Sequence, residues 1–303
     1  MIQFAELTRR NLRIYFRDVG ALFFSLLSML IIIMLMVFFL GDMNTESVTE
    51  LLEGLPGHDT AQDGKNAELL VFAWTAAGII PVNGVMVTLS SLSSMIKDRE
   101  TGRINSVYTA PVSRLSITLS YIVSAWTASV IMCVFTLGVC EAILCSKGME
   151  MFSPGEHIRL FGMILANSFT YSAVMYFFAM LIKNAGAWSG FGTVAGTLVG
   201  FLGGIYLPVG TLSDTVAGII KLFPVFYGTV MFRNVMTDSI LGKTFADAPA
   251  AMTEKYRLIM GIDCEAFGRT VSAGGCLAAV LAFGAAFTLI GALLTAYAKR
   301  RDR

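Results

Sequence analysis

Residues 68–95 read ELLVFAWTAAGIIPVNGVMVTLSSLSSM, and Glu68 at the first position is the only charged residue among them. A helix needs about 20 consecutive apolar residues to cross the hydrocarbon core of a bilayer. The stretch is long enough, and Pro81 near its middle is tolerated in a membrane helix, where neighbouring groups satisfy the carbonyl that it frees. The stretch therefore predicts a transmembrane helix.

Five other apolar stretches accompany this one. Together they predict six transmembrane helices, at about 20–40, 68–95, 117–145, 158–182, 188–208 and 271–297. The first follows a basic N-terminus, but it is too long for a signal peptide and no cleavage site follows it. The predicted fold is an all-α membrane protein with a single transmembrane domain over residues 1–303.

Two non-spanning helices complete this prediction. Residues 2–18 form an amphipathic pattern typical of a helix that lies in the membrane interface, with its basic face toward anionic headgroups or a partner protein. After the fifth span, the apolar run 216–232 is interrupted by Lys221 and Pro224, so it predicts a re-entrant or interfacial external helix. Residues 233–270 are more polar and predict an external loop, which makes 209–270 one external segment.

The composition agrees with a membrane protein. Hydrophobic residues make up 55% of the chain and charged residues 14%, and the mean hydropathy is +0.71. A soluble domain carries about 25% charged residues, because its surface must face water. Lipid is therefore part of the solvent of this chain, and a net charge of +1 argues against nucleic acid as a partner.

The basic residues are distributed unequally between the two sides that six spans define. With both termini in the cytoplasm, 13 of the 22 Lys and Arg residues lie in short cytoplasmic segments, with only five of the 21 Asp and Glu residues. Cytoplasmic loops of membrane proteins carry such a basic excess. We therefore expect a multi-pass protein of the cell membrane, of bacterial type, with cytoplasmic N- and C-termini.

The usual motifs of catalytic and nucleotide sites are missing from the sequence. It contains no GxxxxGK[ST], HExxH or GxSxG motif, its five cysteines form no CxxC pair, and its two histidines lie far apart. We predict no catalytic residue, no metal site and no cofactor bound by this chain. The spans are nearly free of charge, so Glu141, near the outer end of the third span, is the one candidate for ion coupling.

Spans two and five carry the candidates for a transport pathway or a subunit interface. Glycine recurs at every fourth position of span five, which lets another helix approach closely, either within the chain or from a second subunit. Asn83 beside Pro81 can bond to a neighbouring helix, and packing is preferred over substrate contact for it. The candidates are Phe72, Asn83, Met86, Gly192, Gly196, Gly200, Phe201 and Gly204.

The polar residues 96–116, here called the coupling segment, read IKDRETGRINSVYTAPVSRLS. They resemble the cytoplasmic loop of type-2 ABC exporter permeases, in which an acidic–basic–acidic start and a glycine lead to a Thr-x-Pro turn. The matching residues are Asp98, Arg99, Glu100, Gly102, Thr109 and Pro111. Residues 207–236 resemble the family's segment after span five, with Pro208, a helix over 213–222, Pro224 and Arg233. One departure is Ser120-Tyr121, where a Gly-Lys pair is common.

The resemblance implies a mechanism and its partners. Two permease subunits, identical or paralogous, pair around a pathway lined by spans two and five. Each docks on a separate ABC ATPase, which holds the ATP and Mg²⁺, through the N-terminal helix and the coupling segment. The implied ATPase contacts are Arg10, Arg13, Arg99, Glu100, Gly102, Tyr108 and Pro111.

The leading hypothesis is the permease subunit of an ATP-driven exporter that moves an amphipathic small molecule, peptide or lipid out of the cell. A membrane scaffold that recruits an ATPase without transporting is the first alternative. An ion-coupled carrier that depends on Glu141 is the second.

Overall fold

The computed structural model describes residues 2–35, 41–53, 60–103, 112–266 and 269–301. These residues form helices α1 (Ile2–Arg17), α2 (Val19–Leu35), α3 (Gly41–Leu52), α4 (Thr60–Glu100), α5 (Arg114–Ser146), α6 (Pro154–Leu181), α7 (Ala185–Leu202), α8 (Asp214–Ile220), α9 (Pro224–Thr244), α10 (Ala250–Ile259) and α11 (Ala273–Arg301). A 3-10 turn at Val209–Thr211 precedes α8. Strands β1 (Cys264–Ala266) and β2 (Arg269–Val271) form an antiparallel hairpin before α11.

Helix α4 is the centre of the bundle. In the most apolar 18-residue stretch of α4, 94% of the residues are buried. In the corresponding stretches of α7 and α11, only 17% are buried. Helix α4 packs against α5, α6, α7 and α9, and α1, α2 and α3 also contact it. Helix α4 contains small residues that let the neighbouring helices approach closely, such as Ala73, Ala77 and Gly78.

The predicted all-α membrane fold is confirmed. Helices α4, α5, α6, α7 and α11 are each long and apolar enough to cross a membrane, and they coincide with the last five predicted spans. Helices α8 and α9 meet the same criteria only as a pair, bent by 91° as in a broken span or a re-entrant segment, so the described residues hold five or six candidate spans. Helix α2 covers residues 20–35 of the first predicted span, and residues 36–40 lie outside the described ranges.

The segment after α7 differs from the expectation of a polar external loop over 233–270. Helix α9 continues through Arg233 to Thr244, and most of its residues are buried against α4, α6 and α11. The helix can continue past Arg233, because the Arg233 side chain is buried among hydrogen-bonding and ring partners that are described below. Helix α10 and the β hairpin then occupy most of the remainder.

Glycine and asparagine residues set the ends of α4 and α7. Helix α4 ends at Glu100, and Gly102 follows with a φ of 71°, a left-handed conformation that favours glycine. Helix α7 begins after Asn184, whose side-chain oxygen accepts a hydrogen bond from the Ala187 amide at 2.7 Å. Helix α7 ends at Leu202 rather than at 208, because Gly204 adopts a φ of 62°.

Candidate functional site

Asp98, two residues before the end of α4, is the centre of a buried polar network. Its carboxylate accepts two hydrogen bonds from the Arg10 guanidinium, both at 2.8 Å, and one from the Tyr121 hydroxyl at 2.9 Å. Asp98 is only 4% exposed. Such a two-pronged pair is among the stronger hydrogen-bonded arrangements, and the bond to Asp98 raises the pKa of Arg10. The network therefore joins α1, α4 and α5.

Arg99 makes a second connection, to α6. Its guanidinium donates hydrogen bonds to the carbonyls of Ala179 at 2.9 Å and Ile182 at 3.3 Å, at the C-terminal end of α6. These are carbonyls that a helix leaves without an internal partner, and a cation is favourable beside them. The guanidinium of Arg99 thus holds the start of the coupling segment against α6.

The other implied ATPase contacts differ in exposure. Glu100 and Arg13 are exposed, whereas Arg10 turns inward to Asp98. Gly102 forms the turn that follows Glu100. Tyr108 and Pro111 lie outside the described residues. Glu100 is therefore an exposed side chain that directly follows two anchored residues, Asp98 and Arg99.

Helices α4 and α7 touch through two of the predicted glycines. A Cβ atom added at Gly192 would lie 3.1 Å from Leu89, and one added at Gly196 would lie 3.1 Å from the Met86 methyl group. These contacts lie within one chain and bring Met86 and the two glycines together. Gly200 packs instead on the Tyr206 ring, and Gly204 ends the helix, so the four glycines do not form one contact surface.

A cavity of about 560 Å³ lies beside this helix contact. It is bounded by α4, by α7 and by the end of α1, and we call it the serine cavity. Its lining residues are Ile14, Tyr15, Asp18, Met86, Leu89, Ser90, Ser91, Ser93, Ser94, Ile96, Lys97, Ala185, Trp188, Ser189, Gly192 and Thr193. The volume is in the range of small-molecule sites. The sequence analysis did not identify this cavity, although the run LSSLSSM over 89–95, which places several hydroxyls near the end of one helix, is a signal that points to it.

The remaining pathway candidates lie away from the serine cavity. Phe72 is buried in the apolar core that α4 shares with α5, α6 and α9. The Asn83 amide donates to the Thr136 hydroxyl at 2.7 Å, which is an interhelical packing contact. Phe201 is half exposed on α7 and packs edge-on against Tyr206.

Glu141 ties α5 to the start of α6. Its carboxylate accepts a hydrogen bond from the Phe152 amide at 3.0 Å and lies 3.0 Å from His157 Nε2. Ser153 and Glu156 form a capping box at the same turn. These contacts give Glu141 a structural explanation at the junction of two helices.

Arg233 forms a buried cluster that the sequence analysis did not identify as a site. Its guanidinium lies 3.9 Å from the centre of the Trp74 ring and donates to the carbonyls of Gly204 at 2.7 Å and Met260 at 3.2 Å. Trp74 also donates to the Met260 carbonyl, at 2.6 Å. Arg233 therefore connects α9 to α4, to the exit of α7 and to the end of α10.

The comparison with known proteins gives one family. The family model described as ABC-2 family transporter protein matches residues 57–293, which include α4 to α10 and most of α11. Among curated proteins, none matches the chain. The matched range contains the coupling segment, both helices of the α4–α7 contact and the Arg233 cluster.

Proposed function

Because the chain belongs to the ABC-2 transporter family, we propose that this membrane permease is the transport subunit of an ATP-driven exporter of amphipathic compounds. The family match over 57–293 is the observation that carries the proposal. The polar turn at the end of α4 supports it, since an exposed Glu100 lies there directly after the anchored Asp98 and Arg99. A second permease subunit, identical or paralogous, would complete the transporter.

In the proposed mechanism a separate ABC ATPase binds ATP and Mg²⁺ and docks on the coupling segment and on α1. Closure of the ATPase pair would displace the turn at Glu100. Asp98 is bonded to α1 and α5, and Arg99 to α6, so the displacement would reach four helices as one unit. This arrangement is suited to converting a push at one turn into a movement of the bundle.

An amphipathic substrate fits the lining of the serine cavity. Met86, Leu89 and Trp188 supply apolar surface, and a row of hydroxyls lies beside them. Outward transport is the direction that the resemblance to exporter permeases implies. The distribution of basic residues predicts cytoplasmic N- and C-termini, which would put the coupling segment on the side of the ATPase.

The test is co-purification of the tagged protein from gently solubilised native membranes, with partners identified by mass spectrometry. We expect stoichiometric recovery of an ABC ATPase. Glu100→Lys should reduce this recovery about tenfold, since a reversed charge at a contact weakens association. Arg99→Ala is a poorer probe, because it would also remove the contacts to α6.

Glu254→Lys is the matched control, because Glu254 is exposed on α10, far along the chain from the coupling segment. It should leave ATPase recovery unchanged. Absence of any ABC ATPase under several detergents would overturn the proposed function. Equal recovery with Glu100→Lys and with Glu254→Lys would remove Glu100 from the contact.

A further inference from the structure

We propose that the serine cavity binds the uncharged or zwitterionic headgroup of an amphiphile. The inference rests on the proposed function and deepens it, because it names the class of headgroup. It starts from the charges of the lining. The charged lining residues are one acid, Asp18, and one base, Lys97, so the site has no net charge to select an anion or a cation.

The hydroxyl of Ser91 indicates that a polar ligand completes the site. Ser91 is only 4% exposed and lines the cavity, and its hydroxyl has no hydrogen-bond partner among the described residues. Two neighbouring serines are already engaged, since Ser93 accepts from Trp188 Nε1 at 3.0 Å and Ser94 donates to the Ser91 carbonyl at 2.9 Å. The Ser91 oxygen is accessible where the residue lines the cavity, so a hydrogen-bonding group of a ligand can bond to it there.

The position of the cavity favours a headgroup with an apolar tail. It lies where the amphipathic helix α1 meets the ends of α4 and α7, and a helix of this kind lies at headgroup depth. Met86 and Leu89 lie further from the end of α4 than the serines and give the tail an apolar wall. The headgroup could reach the cavity on a membrane lipid or on a free amphiphile, and the two sources share this chemistry.

The test uses the purified protein in nanodiscs of equal parts phosphatidylethanolamine and phosphatidylglycerol, without ATP. The probes are trace phosphatidylethanolamine and trace phosphatidylglycerol with the same photoreactive diazirine chain, and labelled peptides are mapped by mass spectrometry. We expect the zwitterionic probe to label residues 88–97 and 185–193 about threefold more than the anionic probe. Equal labelling by the two probes, or labelling confined to other helices, would overturn the proposal.

Thr193→Trp should fill the cavity and lower labelling by the zwitterionic probe about fivefold. Thr197→Trp is its control, since both threonines are exposed on α7 and bond back to the carbonyl four residues earlier, but only Thr193 lines the cavity.

Ser91→Ala, a milder change, should lower labelling about twofold. Ser124→Ala should not, because the buried Ser124 hydroxyl bonds within α5. Unchanged labelling in both cavity variants would refute the site.

Competition identifies the source of the headgroup. Displacement of the label by soluble phosphoethanolamine would indicate recognition of a free headgroup, and resistance to it would indicate a membrane-borne lipid; both results support the site. The labelling needs no ATPase. Selective labelling without recovery of an ATPase would therefore contradict the proposed function and leave the headgroup site standing. Recovery of an ATPase without selective labelling would contradict the headgroup site and leave the proposed function standing.

Discussion

At Arg233 the chain buries a positive charge without an ionic partner among the described residues. The side chain is 0% exposed, and its partners are the Trp74 ring and the carbonyls of Gly204 and Met260. A planar guanidinium can stack on a ring and bond to two acceptors at once, which an ammonium group cannot. The residue therefore connects α9 to α4, to the exit of α7 and to the end of α10.

We predict that Arg233→Lys lowers the free energy of unfolding by about 2 kcal/mol, because the lysine keeps the buried charge but loses one carbonyl and the ring contact. The measurement is the apparent thermal midpoint of the purified protein, followed by tryptophan fluorescence. Arg159→Lys makes the same change at an exposed position and should leave the midpoint unchanged. Equal midpoints for the two variants would show that Arg233 does not hold these segments.

At the scale of elements, the contact of α7 with α4 depends on the missing side chains of Gly192 and Gly196. Helix α7 is otherwise among the least buried of the candidate spans, and this seam attaches it to α4 together with the hydrogen bond from Trp188 to Ser93. Val194 and Leu198 lie exposed on α7, a surface suited to lipid or to a second subunit. The glycine stripe thus serves packing within the chain at two positions.

Gly196→Ile should separate α7 from α4 and cost about 2 kcal/mol, because the added branches meet Met86. Gly190→Ile is the control on the same helix, since a Cβ there meets nothing within 4 Å. Thermal unfolding of both variants checks the prediction. A Gly196→Ile protein as stable as the Gly190→Ile protein would mean that α7 moves aside at little cost.

For the whole molecule, the bond between Arg10 and Asp98 helps to attach α1 to the bundle. It joins residues 88 positions apart, and the inward face of α1 adds Leu7, Asn11 and Tyr15 to the contact. An interfacial helix attached only by lipid would slide independently of the spans. In this chain a buried carboxylate fixes it to the start of the coupling segment.

Arg10→Gln should cost about 1–2 kcal/mol and speed hydrogen exchange of the α1 amides, because Asp98 stays buried with only the Tyr121 hydroxyl as a partner. The double variant Arg10→Gln/Asp98→Asn should lose less than the sum of the two single changes. Arg9→Gln, on the exposed side of α1, should leave exchange unchanged. Additive losses in the double variant would rule out the pair as the attachment.

The sequence by itself determined the all-α membrane fold, the positions of the long helices and the family resemblance. These follow from apolar length and from motifs such as Asp98 to Gly102, which are local properties of the chain. It also marked Gly192 and Gly196, because glycines at every fourth position share one face of a helix, and Met86, as an apolar side chain of span two.

Only the tertiary structure decided which polar groups meet. Arg10 and Arg99 carry the same charge as the exposed Arg13, yet they bond inside the protein, because Asp98 and the end of α6 lie within their reach. Arg233 looked like the start of a polar loop, and its partners Trp74 and Met260 are distant in sequence. Likewise, the serine cavity exists only where α1, α4 and α7 converge. Charge and periodicity are properties of single segments, whereas burial and hydrogen bonding depend on neighbours that the fold brings together.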